Sequence, residues 1–232
     1  GALNVSRQKT EDGKTQVTAY LGSGNAFDVR WKPEIRHLDA DLAVACEANT
    51  IATTSVGALR LDTLFTYRVI QGRMSRMELD LPDVNVTQVR GEDIQMWQVE
   101  RGQTNNARLV VVLGRPREDT YRLQVEYEMP LAKFPTSCRL PALTPRNVMR
   151  TSGFLLIGTD NAVKLQVQKA AGLTQVDPAA FPEAETGPDA KKRSRPARIA
   201  FAYQYANMPF AVDLKADDIA TTLMTDSQLV LT

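Results

Sequence analysis

The sequence predicts an all-β protein built as an antiparallel β-sandwich, either one large (super) sandwich or two packed sandwich subdomains. Apolar and polar residues alternate with period two in several short segments, which is the pattern of strands with one face on a core. Turn-forming residues separate these segments at short intervals, as they do in antiparallel sheets. Amphipathic helices are not indicated, and residues 177–182 allow one helical turn at most because Pro182 ends it.

The strands follow from this alternation in chain order. The apolar members of the clearest segments are Phe65, Tyr67 and Val69; Met77, Leu79 and Leu81; Tyr121, Leu123, Val125 and Tyr127; Val163, Leu165 and Val167; Phe201, Tyr203 and Tyr205; and Phe210, Val212 and Leu214. Residues 109–113 are apolar throughout, which predicts a strand covered on both faces. Glycine, proline and asparagine predict turns at 71–73, 81–83, 90–92, 101–106 and 114–116.

Changes in composition predict how the chain divides. The divisions are an amino-terminal strand and linker (1–35), a β-sandwich subdomain (36–131), a second β-sandwich subdomain with a mobile loop at 182–198 (132–216) and the start of a possible further repeat (217–232). The proline-rich segment 130–152 predicts an extended crossover, and the amino-terminal strand is expected over 15–31. Residues 210–222 loosely echo 39–54, so the chain is interpreted as a piece of a longer repeated protein.

The charge balance gives no reason to expect a nucleic-acid partner. Lys and Arg number 28 against 27 Asp and Glu, for a net charge of +1. Apolar residues make up 43% and charged residues 24%, which is ordinary for a soluble globular protein. No stretch approaches the roughly 18 consecutive apolar residues of a membrane span, so direct membrane insertion is not expected.

Few residues are suited to catalysis or metal binding. His37 is the single histidine and lacks converging partners, while the pairs Asp39 and Asp41, and Asp217 and Asp218, lack the spacing of a calcium loop. Serine-hydrolase and zinc-peptidase signatures are missing. We therefore expect no catalytic residue, no metal, no cofactor and no enzymatic activity. The one block of positive charge is interpreted as a solvated loop, and it consists of Lys191, Lys192, Arg193, Arg195 and Arg198.

Both cysteines are interpreted as free thiols, although a bridge that closes a long loop stays open as an alternative. Cys46 lies in an apolar run and behaves as a small buried residue. Cys138 lies in a proline-rich loop. Neither has the spacing of a zinc site or a neighbouring histidine.

Trp97 is the one speculative ligand-binding residue. Trp31 alternates with Phe27 and is assigned to a core face, whereas Trp97 is out of phase with Ile94 and Met96. That break in phase predicts either a β-bulge or a second packed layer. Core packing is the favoured role, and an exposed Trp97 would instead suit a glycan.

Several segments resemble a known class of module. The strands at 61–67, 77–82, 108–113 and 120–127 resemble β-sandwich modules of large bacterial envelope proteins, and they are similar to the amino-terminal β-domain of zinc aminopeptidases. The later part of the chain resembles a companion module of those envelope proteins, over the segments 153–157, 172–177, 181–182 and 200–205. The resemblance covers about residues 42–215.

The resemblance implies a non-catalytic structural or protein-interaction module from a larger extracytoplasmic bacterial protein, periplasmic or in the cell envelope. Its expected partners are other domains of the same parent protein or envelope proteins. Two alternatives stay open, a glycan-binding β-sandwich module and an accessory domain of a peptidase.

Overall fold

The computed structural model describes residues 2–9, 15–21, 42–101, 107–160, 163–182, 193 and 195–219. The chain forms two compact units, Gly1–Leu38 and Asp39–Thr232. In the first unit, β1 (Ala2–Lys9) and β2 (Thr15–Leu21) pair as an antiparallel hairpin. The strand predicted over 15–31 is therefore present up to Leu21, and its remainder lies outside the described residues.

Strands also build the second unit. They are β3 (Ala43–Ser55), β4 (Ala58–Gln71), β5 (Met74–Leu81), β6 (Asn85–Gly91), β7 (Ile94–Arg101), β8 (Ala107–Arg117), β9 (Thr120–Pro130), β10 (Thr136–Arg139), β11 (Thr144–Pro145), β12 (Arg150–Thr159), β13 (Val163–Ala171), β14 (Thr174–Gln175), β15 (Arg198–Tyr205) and β16 (Ala211–Asp218). One 3-10 turn covers Pro178–Ala180 and is capped by the Asp177 carboxylate, which confirms the single helical turn expected before Pro182.

The strands form three sheets. The large sheet has the order β14-β15-β12-β3-β4-β9-β6, a four-stranded sheet has the order β11-β5-β8-β7, and a three-stranded sheet has the order β10-β16-β13. Neighbouring strands are antiparallel except for β12 and β3, which run parallel. Among the described residues no helix is long and apolar enough to cross a membrane.

One hydrophobic core joins all three sheets. Alternate residues of β4 and β9 in the large sheet, such as Phe65 and Leu123, pack in the same cluster as Leu79 of the four-stranded sheet and Leu214 of the three-stranded sheet. The two smaller sheets therefore cover one face of the large sheet. This arrangement confirms the predicted all-β sandwich.

Strands from both predicted subdomains share the large sheet. Residues 36–131 supply β3, β4, β6 and β9, while residues 132–216 supply β12, β14 and β15. At the junction the backbones approach closely, because a Cβ on Gly153 would overlap the Ala48 carbonyl. The division at residue 131 therefore does not coincide with a break between sheets.

The turn expected at 114–116 is wrong, since β8 continues to Arg117. Its register against β5 jumps from Val112 opposite Arg76 to Arg117 opposite Met74. Residues 113–116 therefore bulge away from β5, and Pro116 does not need to donate a hydrogen bond to that strand.

A second, smaller cluster lies on the opposite face of the large sheet. Ile51, Leu156 and Ala202 of the sheet are covered there by Phe181, which follows the 3-10 turn. This outer face also carries the polar groove described below.

Candidate functional site

The sandwich has an open side where two edge strands meet. β6 ends the large sheet, β7 ends the four-stranded sheet, and a short turn at residues 91–93 joins them. Among the strands that the structure describes, none pairs with the outer edge of β6 or of β7. We call the depression between them the β6–β7 mouth; its volume is about 710 Å³, and it is lined by Val89, Arg90, Gly91, Asp93, Ile94, Gln95, Met96 and Trp97.

The turn that closes this mouth is anchored to both sheets. The Tyr121 hydroxyl of β9 donates to the Glu92 carbonyl at 2.8 Å, and the Gly114 amide of β8 donates to the Asp93 carbonyl at 2.8 Å. Gly91 is required because a Cβ there would overlap the Tyr121 hydroxyl. These two hydrogen bonds therefore fix the position of the turn that ends β6 and begins β7.

Trp97 lies on the core-facing side of β7 but at its uncovered edge. The register shifts between Ile94 and Met96, which confirms the β-bulge that the break in phase allowed. Beyond the bulge, Trp97 is opposite Val111 and Val99 is opposite Leu109, whose side chains belong to the core. Trp97 is nevertheless 41% exposed.

Trp97 belongs to an edge strand, because the four-stranded sheet ends at β7 and no strand described in the structure pairs with its outer edge. Met96 and Val99 are exposed as well, by 46% and 37%. β7 thus presents apolar side chains on an unpaired edge, a combination that soluble proteins ordinarily avoid.

A polar groove of about 590 Å³ lies on the outer face of the large sheet, where Arg193 is buried. The Arg193 Nε donates to Asp62 Oδ1 at 3.1 Å, and its Nη2 donates to the Asn49 carbonyl at 2.8 Å and to the Asp62 carbonyl. The Phe181 ring lies 6.0 Å from the guanidinium. Burial raises the pKa of Asp62 and lowers that of Arg193, because both charges are removed from water.

Arg193 corrects part of the sequence interpretation. The block at 191–198 was expected to be solvated, but the Arg193 side chain is only 6% exposed because Asp62 and two backbone carbonyls bind it. Lys191 and Lys192 lie outside the described residues. The Arg193 guanidinium is thus bound to other residues of the folded domain and is not a solvated surface charge.

The remaining candidates give no chemical centre. Cys46 and Cys138 are free thiols, as interpreted, and burial raises the pKa of both, which makes them poor nucleophiles. Cys138 lies in β10 rather than in a loop.

Asp217 and Asp218 lie at the end of β16, and no group of three or more metal-ligating side chains occurs in the described part of the chain. Trp31, His37, Asp39 and Asp41 lie outside the described residues.

Of the comparisons with known proteins, only the one with solved structures finds similarity to this chain. No family model matches the chain, and no curated protein is similar to it. The M1 zinc metallopeptidase from Deinococcus radiodurans is 14% identical, with a TM-score of 0.43, over 75% of this chain and 42% of that one. Native yeast LTA4 hydrolase is 14% identical, with a TM-score of 0.42, over 76% of this chain and 29% of that one.

These similarities are weak, and the chain spans less than half the length of either protein. The M1 zinc metallopeptidase corresponds to the zinc aminopeptidase part of the sequence resemblance. The envelope-protein part stays a prediction. With a TM-score below 0.5, neither structure indicates an activity for this chain.

Proposed function

We propose that this chain is a non-catalytic protein-interaction module that binds an extended segment of another polypeptide along the free edge of β7. The observation that supports this is the exposure of Met96, Trp97 and Val99 on an edge strand at the open side of the sandwich. An edge strand offers backbone N–H and C=O groups to an added strand. Exposed apolar side chains beside it provide pockets for alternate residues of that strand.

The spacing of the apolar residues suits a polypeptide strand. Trp97 and Val99 lie two positions apart on the same face of β7, and alternate side chains of an added strand recur with the same period. Asp93, in the turn before β7, and Arg101, the last residue of β7, flank this pair. An antiparallel partner segment is therefore best matched with a basic residue opposite Asp93, apolar residues in the middle and an acidic residue opposite Arg101.

The wider setting of the module is also part of this proposal. The sequence resemblance at residues 42–215 supports a place within a larger extracytoplasmic bacterial protein. The bound segment would then come from another domain of the same parent protein or from an envelope protein. Fractionation of the source cells with an antibody to this chain tests the location, and recovery with cytosolic markers alone would contradict it.

Selection from displayed short random peptides tests the binding surface. Peptides that bind the wild-type chain are expected to alternate apolar residues, and Trp97→Ala is expected to weaken them by about tenfold or more, as at an aromatic hot spot. Ile70→Ala is the matched control, because Ile70 is an exposed apolar residue, 61% exposed, near the end of β4. If no peptides are enriched, or if both variants bind them equally, the proposal is wrong.

A glycan-binding module is the second candidate, since the exposed Trp97 ring could stack on a sugar. Support is limited because the tyrosines of the second unit's sheets, namely Tyr67, Tyr121, Tyr127, Tyr203 and Tyr205, are all buried. A glycan array decides between the two candidates. Glycan binding that disappears in Trp97→Ala, without any peptide binding, would replace the polypeptide proposal.

The third candidate, an accessory domain of a peptidase, depends on the parent gene. It requires a zinc-binding catalytic domain encoded with this module, and sequencing that gene tests it directly. A parent gene without such a domain would contradict this candidate.

A further inference from the structure

The free edge of β7 lacks the protection that three other strands at the ends of the sheets have. β11 and β14 end their sheets with two residues each, and β13 carries Lys164 and Lys169. Short edge strands and lysines are common devices that keep a sheet from pairing with another copy of itself. β7 has eight residues without a lysine or a proline, and its side chains from Gln95 to Arg101 are exposed.

The bulge at Gln95 limits how much of β7 can pair with an added strand. Each residue from Met96 to Arg101 is opposite one residue of β8, whereas Gln95 is the extra residue between Ile94 and Met96. Ile94 therefore occupies the next row of the sheet beyond Met96. Regular pairing along the outer edge is available from Met96 to Arg101.

The rows on either side of Gln98 complement each other when a second copy of β7 runs antiparallel. A two-fold axis at Gln98 places Trp97 of each copy opposite Val99 of the other. The opposed residues lie on the same face of the joined sheet, and an aromatic side chain opposite a β-branched one is a favourable cross-strand pair. Each copy thus covers the exposed ring of the other.

The flanking residues bring no like charges together in this register. Met96 is opposite Glu100, and Ile94 is opposite Arg101. Arg101 of each copy also lies beside the turn that contains Asp93 of the other, because Asp93 directly precedes Ile94. Charges of opposite sign therefore meet at both ends of the paired stretch.

We propose that β7 pairs with β7 of a second copy of this chain, antiparallel about a two-fold axis at Gln98, and joins the two four-stranded sheets into one continuous sheet. This inference rests on the proposed function, whose polypeptide partner it identifies. Both copies use the same surface, so the assembly ends at the dimer. One pair of strands buries a small area, so the dimer is reversible and depends on concentration.

Sedimentation velocity of the full chain over a wide range of concentrations is the first test. The wild type is expected to pass from monomer to dimer, and Trp97→Ala is expected to raise the dimer dissociation constant about tenfold or more. Ile70→Ala is the matched control, because Ile70 is an exposed apolar residue of β4. A chain that stays monomeric, forms open-ended oligomers or dimerises equally well as Trp97→Ala overturns the inference.

Charges placed at Gln98 test the position of the axis. Gln98→Lys and Gln98→Glu each oppose two like charges, so each variant alone is expected to dimerise about fivefold more weakly than the wild type. An equimolar mixture of the two is expected to dimerise more tightly than either, because a lysine then faces a glutamate. Gln166→Lys, at an exposed position of β13, should leave the wild-type dimer unchanged. A mixture that dimerises no better than its components overturns the inference.

The peptide selection described above shows separately whether the proposed function holds. Peptides that bind a monomeric chain, and bind Trp97→Ala less tightly, would leave the proposed function in place and overturn this inference alone. If the chain dimerises through β7, saturating amounts of the selected peptides are expected to dissociate the dimer, because both partners use the same edge. A dimer that persists with peptide bound would show that the copies pair elsewhere, which also overturns the inference.

Discussion

Tyr67 and Tyr121 lie directly opposite each other on β4 and β9, yet only the Tyr121 hydroxyl has a partner among the described residues, the Glu92 carbonyl. Removing the two hydroxyls should therefore have different effects. Tyr121→Phe is expected to lower the free energy of unfolding by about 1 kcal/mol, because a hydrogen bond is lost. Tyr67→Phe is expected to leave it unchanged or raise it by up to about 1 kcal/mol, because a buried hydroxyl without a partner is removed.

Urea denaturation of the two variants beside the wild type measures both effects. The variants are matched controls for each other, since each removes one tyrosine hydroxyl from neighbouring positions in the same core. Equal destabilisation by both variants would show that the Tyr67 hydroxyl has a partner in solution.

The buried pair of Asp62 and Arg193 should be sensitive to the loss of one partner. Asp62→Ala leaves the Arg193 guanidinium buried without a carboxylate, and we expect a loss of about 3 kcal/mol in the free energy of unfolding. The double variant Asp62→Leu with Arg193→Met should lose much less than the sum of the single variants, because no uncompensated charge is left.

An exposed pair is the control for this experiment. Arg73 and Glu118 are 52% and 61% exposed, so Glu118→Ala is expected to change the free energy of unfolding by less than about 0.5 kcal/mol. Urea denaturation compares the wild type with Asp62→Ala, Glu118→Ala, the double variant and the two single variants that compose it. A loss in Asp62→Ala as small as that in Glu118→Ala would contradict the burial of Arg193 in solution.

The contrast between these residues shows what a sequence can predict. The alternation from Tyr121 to Tyr127 reports one strand with one buried face, so β9 was predictable from local pattern. The break in phase at Trp97 predicted either a bulge or a second packed layer, and the structure shows the bulge. Asp62 as the partner of Arg193 could not be predicted, because the two positions are distant in the chain and a run of positive charge carries no information about its partner.

The features of the candidate sites that depend on the arrangement of whole sheets could not be predicted either. Trp97 lies on an edge strand because the four-stranded sheet ends at β7, and no residue near Trp97 encodes that end. The parallel pairing of β12 with β3 has no local signature, since each strand pairs antiparallel on its other side.

Alkaline pH should destabilise the fold through its buried tyrosines. Burial raises the pKa of Tyr127 and of Tyr121 to about 12, whereas a tyrosine in the unfolded chain ionises near pH 10. The folded state therefore favours the neutral phenol. This contribution to stability is complete below about pH 10 and is lost as the pH rises toward about 12, because the unfolded chain ionises first.

Tyr127→Phe separates this effect from other alkaline changes. Tyr127 is buried in the core, so the wild type should lose about 2 kcal/mol more than Tyr127→Phe between pH 9 and pH 12. The comparison uses urea midpoints of both proteins across that range. Parallel curves for the two proteins would contradict a raised pKa of Tyr127.

Gly153 should tolerate no side chain, because its position fixes the distance between β12 and β3. A Cβ there would overlap the carbonyl group of Ala48, and a backbone atom within a sheet cannot move aside. The same carbonyl accepts a hydrogen bond of 2.6 Å from the Tyr205 hydroxyl. Gly153→Ala is therefore expected to lower the free energy of unfolding by about 3 kcal/mol or more.

Gly57 provides the control, because it differs from Gly153 in the reason for being glycine. Its φ is +84°, but no atom lies within 4 Å of the position of a Cβ, so Gly57→Ala should cost only about 1 kcal/mol, from backbone strain. Thermal and urea denaturation of the two variants measure the difference. Similar losses in both would mean that β12 does not pack as closely on β3 as the parallel register requires, and the joining of residues 132–216 to the large sheet would need revision.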